Sequence, residues 1–321
     1  MQPVQGIHHI TALASDPQAN VDFYHNVLGQ RLVKTTVNFD DPGTYHLYYG
    51  DEVATSGTLM TFFPWVGARR GRRGSGEIGA VAYSIRPESV EFWRQHLAQH
   101  GIAVEDGATR FGSPVLAFTD PDGMPLELIG SEGPATFRFW ADGPISEEHA
   151  LRGFHSATLW LARAEPTAEL LTGVLGYEQV GQEHNRWRFK GASDDIGLYV
   201  DLLVRPELPR GVMGAGSVHH MAFRILDDSE QLEYQAEIAA AGHGVTPVRD
   251  RQYFRSIYFR EPGGVLFEIA TSAPGFLYDE PVERLGTSLK LPPWLEPQRA
   301  LIEESLPPFT VKPVVKESPR V

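Results

Sequence analysis

The chain repeats one pattern four times, and this restricts its fold more than any other feature. Each copy has a short apolar strand, an acidic or proline-marked helix start, an amphipathic helix and several further strands. Copy one begins at Ile7, and its helix, starting near Asp16-Pro17, carries Val21, Phe23, Tyr24 and Leu28. Copy two begins at Ile78, with Pro87, Val90, Phe92, Trp93 and Leu97 on its helix. Copy three begins at Phe154, with Pro166, Leu170, Leu171 and Leu175. Copy four begins at Val218, with a helix from Asp228 through Leu232, Tyr234 and Ile238. Apolar residues three or four apart are what a one-sided helix requires, and Asp and Pro are helix-entry signals.

Two copies also end alike. One closes with Asp120-Pro121-Asp122-Gly123-Met124-Pro125-Leu126-Glu127, the other with Glu261-Pro262-Gly263-Gly264-Val265-Leu266-Phe267-Glu268. In both, Glu follows Pro by six residues, across a glycine turn suited to a hairpin. Each copy therefore reads as βαβββ, and the fold class is α+β. The modules are expected at residues 1–70, 71–135, 150–206 and 214–273. A proline-rich tail follows over 274–321, with prolines from Pro281 to Pro319 and a short helix expected from Pro297 to Leu306.

Bulk properties exclude several function classes. With 321 residues there is room for two compact domains. A net charge of -13 argues against a nucleic-acid partner. The single basic run, Arg69-Arg70-Gly71-Arg72-Arg73, reads as a solvated loop rather than an anion contact. The absence of cysteine excludes disulfides, thiolate metal sites and cysteine nucleophiles. No stretch approaches the ~20 apolar residues of a membrane span, and no signal-peptide pattern opens the chain. A cytoplasmic protein without a membrane partner is expected, with homo-oligomerisation left open.

The repeats carry a second message. Two strands begin with paired histidines, Ile7-His8-His9-Ile10-Thr11 and Val218-His219-His220-Met221, and the last closing strand ends in Glu268. Two imidazoles and a carboxylate make a three-ligand site suited to non-heme Fe(II) and oxygen chemistry.

At this point a family resemblance emerges. The four-module pattern resembles the vicinal oxygen chelate superfamily, which includes glyoxalases and type I extradiol dioxygenases. Gly6-Ile7-His8-His9-Ile10-Thr11, Val37-Asn38-Phe39-Asp40-Asp41-Pro42, Thr61-Phe62-Phe63-Pro64 and Leu289-Lys290-Leu291-Pro292-Pro293-Trp294-Leu295-Glu296-Pro297 are similar to the ring-cleaving, hydroquinone-type dioxygenases. The resemblance implies that modules pair into two cupped mixed β-sheets. At its ligand positions the first strands carry His9, Ala80, Ser156 and His220, and the last strands Thr61, Glu127, Asp201 and Glu268. Pairing modules 1 and 4 unites His9, His220 and Glu268, and leaves modules 2 and 3 a vestigial cup without imidazoles at those positions. Glu127 then reads as structural, paired with an arginine.

The resemblance further implies Fe(II), with Mn(II) using similar ligands, and a small aromatic substrate together with O2. His8, His219, Thr11, Arg251 and Tyr258 would surround the metal ligands. Arg251 would stabilise a developing anion, Tyr258 would donate a hydrogen bond, and His219 or His8 would move a proton. Strict alternation points His8 and His219 away from the ligand face unless a bulge re-aims them. Against these roles, Arg251 could simply pair with an acidic neighbour and Tyr258 sit in the core. Phe267 reads as core, and His25, His46, His96, His100, His149, His155, His184 and His243 receive no role. The competing functions are a glyoxalase-like isomerase or lyase, which would need a fourth ligand, and a non-catalytic binder of hydrophobic small molecules.

Overall fold

The structure, a computed structural model, describes residues 1–133 and 136–314. Residues 134–135 at the end of the second module and 315–321 of the tail, Pro319 among them, lie outside the described residues.

Four strands come from each quarter of the chain. The first supplies β1 (Ile7–Ala14), β2 (Arg31–Asn38), β3 (Asp41–Gly50) and β4 (Leu59–Pro64). The second supplies β5 (Glu77–Ile85), β6 (Glu105–Arg110), β7 (Ser113–Thr119) and β8 (Pro125–Gly130). The third supplies β9 (Phe154–Leu161), β10 (Glu178–Glu183), β11 (Arg186–Lys190) and β12 (Tyr199–Val204). The fourth supplies β13 (Val218–Ile225), β14 (Arg249–Asp250), β15 (Arg255–Arg260) and β16 (Leu266–Thr271). They form two mixed eight-stranded sheets, ordered β14-β15-β16-β13-β1-β4-β3-β2 and β10-β11-β12-β9-β5-β8-β7-β6. The outer quarters share one sheet and the inner quarters the other.

Each first strand is followed by helix: α1 (Pro17–Val21), running into a π-helical turn at Asp22–Val27, then α2 (Val90–Gln99), α3 (Glu165–Gly173) and α4 (Asp228–Ala240). Asp16 and Asp227 cap α1 and α4, their carboxylates accepting from the free N–H groups of the first turn. On α4 the apolar face is Tyr234 and Ile238. Leu232 is exposed, and Gln231 is buried instead, its amide donating to the Arg255 and Ile269 carbonyls. One contiguous apolar cluster, including Phe62, Tyr83, Phe154 and Phe267, runs through both sheets.

The central strand pairs are bulged at matching places. In β1·β13 the register passes from Ile7↔Phe223 to His9↔Ala222 and from Thr11↔His220 to Ala12↔Val218, leaving His8 and His219 as the extra residues. In β5·β9 the same slips leave Gly79 and His155 extra. A bulge kinks its strand and re-aims side chains, which is why the paired histidines escape strict alternation.

The Arg69–Arg73 segment is not a free solvated loop. Arg70 and Arg72 bridge Ala215 and Val212, and Arg73 donates to the Gly123 and Gly216 carbonyls. The close approach needs glycine, since a Cβ on Gly74 would sit 2.2 Å from the Pro209 carbonyl oxygen. The tail lies along the edge of the first sheet, where Leu289 bridges Thr35, and it includes α5 (Arg299–Ser305), after which Thr310 bonds Gln18. Lys34, fully buried on β2, holds the tail through Asp279 at 2.6 Å and Glu280 at 2.5 Å. Among the described residues no helix is long and apolar enough to cross a membrane.

Candidate metal centre

The three middle strands of the first sheet bring His9, His220 and Glu268 together. The Nε2 atoms of His9 and His220 lie 3.3 Å apart. The Glu268 Oε2 lies 2.9 Å from His220 Nε2 and 3.4 Å from His9 Nε2. Among the described residues this is the one group of three potential ligand side chains whose ligand atoms lie within 4.8 Å of one another. Burial alone would raise the Glu268 carboxyl, but the facing His9 and His220 outweigh it and hold the group well below the usual carboxylate range.

The arrangement fits a metal ion. Two donors about 2.1 Å from one ion and at right angles to each other lie about 3 Å apart, close to the spacings seen. Glu268 is fully buried, and its Oε2 has no hydrogen-bond partner among the described residues, while Oε1 accepts from Ser256. A buried carboxylate oxygen left without a donor is costly unless a cation completes it. The ligand rings are also oriented from behind. His8 Nδ1 lies 2.9 Å from His9 Nδ1, and His219 Nδ1 lies 2.7 Å from His220 Nδ1. Holding Nδ1 from the back turns Nε2 forward, the usual arrangement for a metal-bound imidazole. Burial and the adjoining His9 push His8 well down, and burial and His220 push His219 down to about 3. Both are therefore neutral at ordinary pH and able to accept from a ligand's Nδ1–H.

A cavity of about 380 Å³ opens over His9 and His220. That volume holds a substituted benzene ring. Phe39, Phe63, Trp65, Phe254 and Leu266 give it apolar walls, with the Phe254 ring 5.0 Å from that of His9. His219 lines it too, but His8 does not, its ring packing against Phe254. Arg251 and Tyr258 both line the cavity: Arg251 Nε donates to the Tyr258 hydroxyl at 3.0 Å, and its Nη2 pairs with Asp40 at 2.9 Å. The acidic partner weighed in the sequence thus exists, without removing Arg251 from the cavity. Burial raises the Tyr258 hydroxyl, aided by Glu268 and opposed by Arg251. Thr11 is fully buried and does not line the cavity, its hydroxyl lying 2.7 Å from that of Thr61. Phe267 is core, between Phe223 and Phe259.

His46 lines this cavity although the sequence reading gave it no role. Its Nε2 lies 2.9 Å from the Thr61 hydroxyl and its Nδ1 2.8 Å from that of Tyr48. The available signal was the two-residue spacing of His46 and Tyr48, which puts both on one face of β3.

The second sheet holds its carboxylates differently. Glu127 takes both guanidinium nitrogens of Arg110, one at 2.7 Å. Asp201 takes Arg188 at 2.8 and 2.9 Å and Arg186 at 3.0 Å. Burial raises Asp201, but the arginines outweigh it and lower it overall. His155 packs against Tyr199, 3.1 Å from the Ser156 hydroxyl.

Known proteins share this organisation. Residues 6–128 and 153–269 match the model of the Glyoxalase/Bleomycin resistance protein/Dioxygenase superfamily. A Bacillus subtilis protein described as "Putative ring-cleaving dioxygenase MhqO" is 49% identical over 96% of this chain and 97% of its own length. The chlorohydroquinone/hydroquinone 1,2-dioxygenase of Sphingobium indicum is 38% identical over 91% of this chain and 93% of its own. A crystal structure titled as a dioxygenase of the "putative" kind from Bacillus subtilis superposes with a TM-score of 0.92 at 47% identity, over 98% of this chain and 100% of that one.

Proposed function

The chain belongs to the Glyoxalase/Bleomycin resistance protein/Dioxygenase superfamily, and on that premise we propose that it is a ring-cleaving dioxygenase using Fe(II), held by His9, His220 and Glu268, to open a hydroquinone or related phenol with O2. The observation that carries this reading is the fully buried Glu268 Oε2 facing the Nε2 atoms of His9 and His220, two histidines that line an aromatic-walled cavity. Three protein ligands leave room for a substrate oxygen and O2, whereas Thr61 stands where a fourth, glyoxalase-like ligand would. Iron bound there supplies a place for both reactants to meet and a path for electrons from ring to oxygen.

The chain's own groups do the rest. Phe39, Phe63, Phe254 and Leu266 exclude water and hold the ring. Arg251 places a fixed positive charge beside the Tyr258 hydroxyl, where a phenol oxygen loses its proton. His219, which faces the cavity as a neutral ring with its Nδ1 engaged by His220, offers its Nε2–H as a donor to substrate or oxygen, and His8, outside the cavity, orients His9. Ring opening is of the extradiol type, beside a hydroxylated carbon, giving a hydroxymuconic semialdehyde from hydroquinone.

Oxygen uptake by the anaerobically purified, Fe(II)-loaded protein tests this. Methylhydroquinone is expected to trigger fast uptake that His220→Ala abolishes. No uptake with methylhydroquinone or catechol, despite stoichiometric iron, would overturn the reading in favour of an oxygen-independent isomerase or a binding protein.

A further inference from the structure

The strand register exposes a second polar element in the cavity. Tyr258 on β15 stands opposite Glu268 on β16, and Tyr48 on β3 stands opposite Thr61 on β4. Both tyrosines line the cavity. Two residues before each lies the group that binds the closing-strand residue: Ser256 donates to Glu268, and His46 bonds Thr61. Modules 1 and 4 therefore place equivalent tyrosines on opposite flanks of the strands that carry His9, His220 and Glu268, one at β15 and one at β3.

The flanks differ in charge. Tyr258 is backed by the Arg251 guanidinium. Tyr48 is backed by a chain of neutral groups, Thr11–Thr61–His46–Tyr48, with successive spacings of 2.7, 2.9 and 2.8 Å. Burial, then the neighbouring His9 and His220, keep His46 unprotonated. Each member can both donate and accept, so the chain runs in either direction. The Tyr48 hydroxyl spends one bonding capacity on His46 and keeps another, as donor or as acceptor.

We propose that Tyr48, oriented by His46, binds the second, un-ionised hydroxyl of a dihydroxylated aromatic substrate and so selects hydroquinones over simple phenols. This rests on the ring-cleaving reading above and deepens it. The arginine-backed flank suits the oxygen that becomes anionic, and the neutral flank suits one that stays protonated. Tyr48 touches substrate, while His46 is a positioning residue. A substrate lacking the second hydroxyl would leave a buried polar group short of a partner, which costs about 1–3 kcal/mol, roughly 5- to 150-fold in binding.

The test is anaerobic calorimetry with hydroquinone and phenol, on metal-free and Fe(II)-loaded protein. Tyr48→Phe is expected to weaken hydroquinone about 5- to 150-fold and to leave phenol unchanged or more tightly bound, since the unpaired hydroxyl is gone. His46→Leu should lower the same ratio, and His46→Gln, which can still hydrogen-bond, should restore part of it. Thermal unfolding of each variant checks the fold, and His46→Leu carries the test if Tyr48→Phe does not fold. An unchanged hydroquinone-to-phenol ratio, or equal weakening of both, would overturn the proposal. A ratio that responds as expected in a protein showing no oxygen uptake would support the pair's role while sinking ring cleavage.

Discussion

The two cupped sheets are built alike and end in opposite chemistry. Their closing strands place Thr61 and Glu268 in one cup, Glu127 and Asp201 in the other, at matching strand positions. In the second cup three guanidinium groups neutralise both carboxylates. In the first cup Glu268 has a serine on one oxygen and two imidazoles facing the other. A carboxylate at the ligand position therefore does not by itself make a metal site. What distinguishes the first cup is a carboxylate facing two imidazole nitrogens, at metal-bond spacing, in place of an arginine.

The largest expected effect comes from removing that difference. Glu268→Gln should abolish iron retention on dialysis and lower oxygen uptake on the order of 10³-fold, about 4 kcal/mol of activation free energy. Iron analysis alongside the oxygen electrode checks it, and retained iron would break the contrast between the cups. Next, Asp201→Asn leaves Arg186 and Arg188 buried without their carboxylate, which should cost about 3–5 kcal/mol in urea unfolding. Iron content per folded molecule should stay as in the parent protein, and a fall in iron would show that the second cup is not merely structural.

A smaller effect is expected at Arg251. Replacing it with Met should lower kcat roughly 10²-fold, the scale of one lost electrostatic donor, with iron retained. A rise in KM alone would assign Arg251 to substrate binding instead.

The smallest effect concerns His155, pushed down to about 3 by burial and Arg188. A depressed histidine stabilises the fold above its unfolded pKa, near 6.5, and loses that contribution as pH falls from there toward its folded value. Between pH 6.5 and 5 this one group should withdraw about 2 kcal/mol. Urea midpoints of His155→Gln across that interval should therefore fall less steeply than those of the parent. Parallel curves would show that His155 is not held neutral.

Much of this was legible in the sequence. Four copies of one strand-and-helix pattern announced four βαβββ units, and the family resemblance implied their pairing into two cupped sheets. The convergence of His9, His220 and Glu268 followed once the outer modules were paired. His46 and Tyr48 escaped notice because β3 carries no motif, only an alternation that any half-buried strand would show. The bulges at His8 and His219 were beyond reach for a related reason. Bulges arise from the register between strands contributed by opposite ends of the chain. Nor could sequence show that Arg110, Arg186 and Arg188 come from β6 and β11 to fill the second cup.

The most direct test of the account is anaerobic Fe(II) titration by calorimetry, followed by iron analysis after desalting, on the parent protein, Glu268→Gln and Glu127→Gln. The expected result is one iron per chain in the parent and in Glu127→Gln, and none in Glu268→Gln. Two irons per chain, or iron lost with Glu127 and kept without Glu268, would contradict the assignment of the metal to the first cup.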